Sequence, residues 1–170
     1  MDSKLIAAAA TIALSTILSS AHAAEEAKSP HTLTGNLGFA SDYRFRGVSQ
    51  TQKQPALQGG FDYAHASGIY LGTWASNVSG KLYEDGSLEW DFYGGYTGSL
   101  TKDIGYNVGG IYYFYPGANA GSQKYNTFEV YGGLNYKWIG GKLSYSLTDF
   151  FGVDKGDGSY YLEGNANYPL

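Results

Sequence analysis

Between Leu33 and Arg46 the side chains alternate: Leu33, Leu37, Phe39, Tyr43 and Phe45 share one parity, and Thr34, Asn36, Asp42, Arg44 and Arg46 share the other. Successive residues of an extended strand point to opposite faces, so the run predicts a strand from Thr32 to Gly47 with one apolar and one charged face. Such a charged face does not suit a soluble sandwich core, where buried unpaired charges are too costly. It suits a wall with lipid on one side and water on the other. The pattern recurs downstream with an aromatic-rich apolar parity, the signature of a transmembrane β-barrel.

Ala56 to His65 sets Leu57, Phe61 and Tyr63 against Gln58 and Asp62. Ile69 to Val78 also reads as a strand, but its faces stay open, because Ile69 and Leu71 oppose Tyr70, Trp74 and Val78. Ser87 to Thr97 and Ile104 to Tyr115 follow, then Thr127 to Lys137, Lys142 to Phe150 and Ser159 to Tyr168. Short turns are expected at Ala66-Ser67-Gly68, at Gly98 to Asp103 and at Ile139-Gly140-Gly141; longer polar loops separate the other strands. The expected fold is therefore all-β, a transmembrane antiparallel β-barrel with about eight strands of roughly ten residues, short turns at one end and long loops at the other. A lipocalin-like barrel shares the alternation but turns its apolar face inward. The 17 Tyr, 8 Phe and 3 Trp would then have to crowd a small interior.

The first 23 residues read as a Sec-type signal peptide: Lys4, an apolar run from Leu5 to Leu18, and the A-x-A site Ala21-His22-Ala23. That run is shorter than the roughly 20 residues of a spanning helix. Residues 24–31 read as a polar leader and 32–170 as the barrel. Export and a barrel together predict the bacterial outer membrane. The chain has no Cys, so neither a disulfide framework nor a thiolate metal site is available. A mean hydropathy of −0.28 excludes a helical membrane protein but not a barrel, which needs only alternate apolar residues.

The chemistry-bearing residues fall on the expected inner face: Asp42, Arg44, Arg46, Asp62, Glu89, Asp91, Glu129, Lys137 and Glu163. Basic residues facing acids across a lumen would set a transverse field that filters small polar solutes. Alternatively, Arg44 and Arg46 pair with Glu89, Asp91 or Glu129 and rigidify the interior. No catalytic site is expected, since His31 and His65 lie in the leader and beside a turn, and no G-x-S-x-G or H-E-x-x-H pattern occurs. Neither a cofactor nor a metal is predicted, and Asp154 to Asp157 reads as a solvated turn rather than a calcium loop. A net charge of −4 without a basic patch disfavours nucleic acid.

Several blocks carry a resemblance: Ser41-Asp42-Tyr43-Arg44-Phe45-Arg46-Gly47-Val48-Ser49-Gln50-Thr51, Pro55 to Gly60, Gly68 to Val78, the acidic strand Glu89 to Tyr96, and Tyr112 to Gly117. With these the chain resembles the TorF-like porins of proteobacteria, also known as the Gcw chp family. The resemblance implies an outer-membrane barrel passing small hydrophilic solutes by passive diffusion, with outer-membrane lipid and the barrel assembly machinery as partners. It also implies about a dozen strands, so the chain reads as part of a larger barrel, truncated at Leu170. Eight strands alone would enclose an interior filled by side chains, which keeps open a second reading, a plugged barrel serving as a membrane anchor or surface-binding protein. The solute, the oligomeric state and whether the pore is open are not legible.

Overall fold

The computed structural model describes residues 29–119, 121 and 124–169. The expected signal peptide and residues 24–28 of the expected leader lie outside the described residues. The strands are β1 (His31–Ala40), β2 (Arg44–Phe45), β3 (Val48–Ser49), β4 (Ala56–His65), β5 (Ile69–Asn77), β6 (Leu88–Ser99), β7 (Ile104–Phe114), β8 (Thr127–Tyr136), β9 (Ile139–Ser146) and β10 (Tyr160–Ala166). Eight of them form one antiparallel sheet in the order β1-β4-β5-β6-β7-β8-β9-β10, and β2 and β3 make a separate small hairpin. The expected closure is not made. Among the described residues β1 pairs only with β4 and β10 only with β9, so the sheet they form has two free edges. Among the described residues no helix is long and apolar enough to cross a membrane.

The register sorts the side chains into rows that run across all eight strands. One row reads Leu33, Tyr63, Leu71, Gly94, Gly110, Val130, Tyr145 and Tyr160. The next two on that face carry Phe61, Phe92, Tyr112 and Phe128, and Ile69, Tyr96, Val108, Leu143 and Leu162. This outer face is apolar and uncovered, with Leu33 74 %, Phe39 83 % and Tyr160 77 % exposed. The same rows resolve β5: Ile69 and Leu71 lie outside, Tyr70 and Trp74 inside.

The core sits on the inner face at the end that carries the long loops. Tyr43, Val78, Tyr83, Tyr113, Tyr115 and Ala118 are buried there, with Phe45, Trp74 and Phe151 packed against them. Tyr43 meets Trp74 edge-on at 5.3 Å, and Tyr83 stacks on Tyr115 at 4.3 Å, separations at which aromatic pairs add attraction beyond their buried area. Thr127 ties the last long loop to this cluster, its Oγ1 accepting from the Phe151 amide at 2.8 Å.

Besides strand ends displaced by up to four residues, three differences from the sequence reading bear on the faces. The first strand ends at Ala40 rather than Gly47, because the chain bends at Ser41 and folds into the β2–β3 hairpin. Arg46 and Gly47 form its two-residue turn with φ of 47° and 86°, the positive pair that a type I′ hairpin requires. Tyr43 and Phe45, assigned by parity to the lipid face, are therefore turned inward. His31, expected in the leader, opens β1 opposite His65. The turn expected at 139–141 is made by Lys137 and Trp138, with Tyr136 paired to Ile139. Gly140 instead lies within β9 under the Asn165 amide, which a Cβ there would meet at 2.8 Å.

Candidate functional site

The inner rows place the predicted carboxylates together. One row runs Asn36, Gly60, Trp74, Asp91, Tyr113 and Thr127. The row on its long-loop side carries Gln58, Ser76 and Glu89; the row on its other side carries Asp62, Gly72, Tyr93, Ile111, Glu129 and Ser146. Glu89, Asp91 and Glu129 retain 1, 4 and 2 % of their surface. Carboxylates so buried need compensation, and each has a different arrangement.

Glu129 is compensated fully. Arg46 reaches across from the hairpin turn and donates Nη1 to Oε1 and Nη2 to Oε2, both at 2.7 Å, the forked geometry in which Arg binds carboxylate best. The guanidinium also lies 4.7 Å from the Phe45 ring centre and 4.4 Å from that of Tyr161, so its flat faces are covered by aromatic surface. Asp62 accepts the Tyr93 phenol at 2.5 Å. Gly72 makes room for this, since a Cβ there would meet the Tyr93 ring at 2.3 Å.

Glu89 is half compensated. Its Oε1 accepts the Tyr43 phenol at 2.9 Å, but its Oε2 and the Oδ1 of Asp91 are buried without a hydrogen-bond partner. Burial beside these acids raises the Tyr43 phenol well above its usual range, keeping it a neutral donor. Tyr83, raised by burial in the same way, donates to the Gln50 side chain.

Asp42 and Arg44 stay local. The Asp42 carboxylate accepts Ser49 Oγ at 2.5 Å and Thr51 Oγ1 at 3.3 Å, and pairs with Arg44 at 2.8 Å. The Ser49 bond above all holds its pKa below the usual carboxylate value. Neither residue lies in the eight-stranded sheet, on whose inner face the sequence reading had placed them. Lys137 is likewise moved from the inner face to the β8–β9 turn, where it takes φ 51° and lies 5.2 Å from the Tyr136 ring centre. Lys142 and Glu163 approach to 3.8 Å at the short-turn end, far from the buried acids in register.

Sequence reading missed the tyrosines that line the site, Tyr43, Tyr83, Tyr113 and Tyr115. The surplus of Tyr was a signal for them, although it did not say which ones turn inward. Gln50 and Thr51, both nearly fully buried, looked like ordinary loop residues.

A scan of protein families matches residues 24–170 to the one described as "Bacterial protein of unknown function (Gcw_chp)". The chain belongs to this family. Searches of curated proteins and of solved structures return no match. The family match covers the whole sheet together with the hairpin that supplies Arg46, so the bridged inner face lies within the family's own segment. Among the described residues no group of three or more His, Cys, Asp or Glu side chains is placed to hold a metal ion.

Proposed function

We propose that this family member is an exported protein that forms the wall of an outer-membrane β-barrel of porin type, passing small hydrophilic solutes by passive diffusion and without a cofactor. The observation that carries the reading is the uncovered apolar face spanning all eight strands, backed by a polar inner face. Lipid satisfies the first and water the second. Hydrocarbon does not tolerate free strand edges, so in this reading the outer edges of β1 and β10 are paired in the membrane. The barrel assembly machinery would insert such a wall, and the Arg46–Glu129 bridge would stand at its constriction.

A second reading is favoured by a different observation, the aromatic cluster that fills the inner face at the long-loop end. There the protein is a plugged barrel, acting as a membrane anchor or binding through its long loops. Recording from the refolded full chain in planar bilayers separates the two. Stepwise conductance in simple salts is expected for the porin; membrane insertion without conductance, unchanged when the hairpin bridge is removed by Arg46→Ala, would establish the plug instead.

A further inference from the structure

We infer that Glu89 and Asp91 form a binding site for a hard divalent cation, Ca²⁺ or Mg²⁺. The two carboxylates project from the same face of β6, two residues apart, at the end of the strand that meets the long loops. Glu89 Oε2 and Asp91 Oδ1 are both buried without a hydrogen-bond partner, and the residues are 1 and 4 % exposed. Buried polar atoms of native interiors are almost always partnered, so these two call for a species that engages their lone pairs.

Among the described residues no Lys, Arg or His side chain forms an ion pair with either carboxylate; the ion pairs there join Arg44 to Asp42, Arg46 to Glu129 and Lys142 to Glu163. The Arg46 guanidinium is already engaged, both its terminal nitrogens donating to Glu129. The surroundings are hydroxyl and aromatic instead. Ser76 is paired with Glu89 across the ladder, Tyr43 donates to Glu89, and Trp74 and Tyr113 flank Asp91 on the neighbouring strands.

One ion of charge +2 neutralises two carboxylates, and it replaces two unmet acceptors with coordinate bonds. The donor set is all oxygen, which selects hard cations over zinc or copper. Mg²⁺ keeps several of its waters and takes only one or two carboxylates from a protein, so a third acidic side chain is not required. The inference does not depend on the pore, because a plugged barrel would hold the ion equally well.

The test is metal retention and stability of the refolded full chain in detergent at neutral pH, independent of conductance. After EDTA and dialysis, titration with CaCl₂ or MgCl₂ is expected to raise the melting temperature and bind one ion per chain. The paired variant Glu89→Gln with Asp91→Asn keeps the shapes and removes the charge; it is expected to fold, to melt independently of either metal and to bind at least tenfold more weakly. Asp157→Asn, in the loop between β9 and β10, is expected to bind like the parent. Wild-type protein that neither binds nor is stabilised by either ion would overturn the inference, leaving a proton as the neutralising species. Binding that survives the paired variant, or that Asp157→Asn abolishes, would also overturn it. If the paired variant fails to fold, the wild-type titration alone still decides.

Discussion

Arg46 and Glu129 are the pair on which the inner face most depends. Removing the guanidinium leaves a carboxylate at 2 % exposure without a counter-charge, and breaking a buried pair in this way costs about 3–5 kcal/mol. Arg46→Ala is therefore expected to lower the unfolding free energy by that amount in denaturant titrations of the refolded protein. Replacing both partners, Arg46→Met with Glu129→Leu, should recover most of the loss, because a well-packed apolar pair carries no desolvation cost. A second prediction concerns Asp42, whose folded-state pKa lies below its ordinary value chiefly because Ser49 donates to it. A lowered carboxylate pKa stabilises the fold above the ordinary value and ceases to do so as pH falls through the folded one. Ser49→Ala should thus move the Asp42 titration upward when followed by carboxyl NMR, and should destabilise at pH 7 but not in acid below that titration. At this scale the sequence showed which charges exist and that Arg46 was a candidate partner for Glu129. It could not choose among Glu89, Asp91 and Glu129, because the choice depends on where a type I′ turn aims one side chain across the sheet.

The strands themselves were legible, since period-two alternation follows directly from how a pleated strand presents its side chains. β4 runs between the two residues expected, and β5 to β8 differ by a residue or two at their ends. The failures share a cause: alternation and glycine each have a second physical origin. Leu33 to Phe39 alternate because one face is greasy, whereas Tyr43 to Arg46 continue the parity inside a tight hairpin that obeys different geometry. Gly140 and Gly141 mimic a turn signal but lie within β9, Gly140 packed closely under Asn165, while Lys137 takes the left-handed conformation instead. Two substitutions test this division. Gly68 turns the chain between β4 and β5 at φ 100°, and a Cβ there would meet the Thr97 carbonyl oxygen at 2.1 Å. Gly68→Ala should cost about 1–3 kcal/mol and depress the thermal midpoint seen by circular dichroism. Lys137→Gly relieves a left-handed non-glycine residue at an exposed turn and should be neutral or stabilising by up to about 1 kcal/mol in the same measurement.

For the whole molecule, the membrane reading makes a prediction about its three tryptophans. Trp90 belongs to the outer apolar face, while Trp74 is packed inside against Tyr43. In vesicles containing brominated lipid, a variant retaining only Trp90 should be strongly quenched and one retaining only Trp74 should not. Equal quenching of both, or of neither, would remove lipid from the outer face. The long-range bridge also bears on how the molecule comes to be made. Every strand of the sheet pairs with its neighbour in the meander, so the wall can grow hairpin by hairpin from local contacts. Arg46, by contrast, waits for a residue 83 positions further along the chain. The hairpin that carries it is synthesised early and also reaches β6 through Tyr43 and Glu89, but the bridge itself can form only after β8 exists. A chain cut short before β8 would lack this contact however many of its earlier hairpins had already formed.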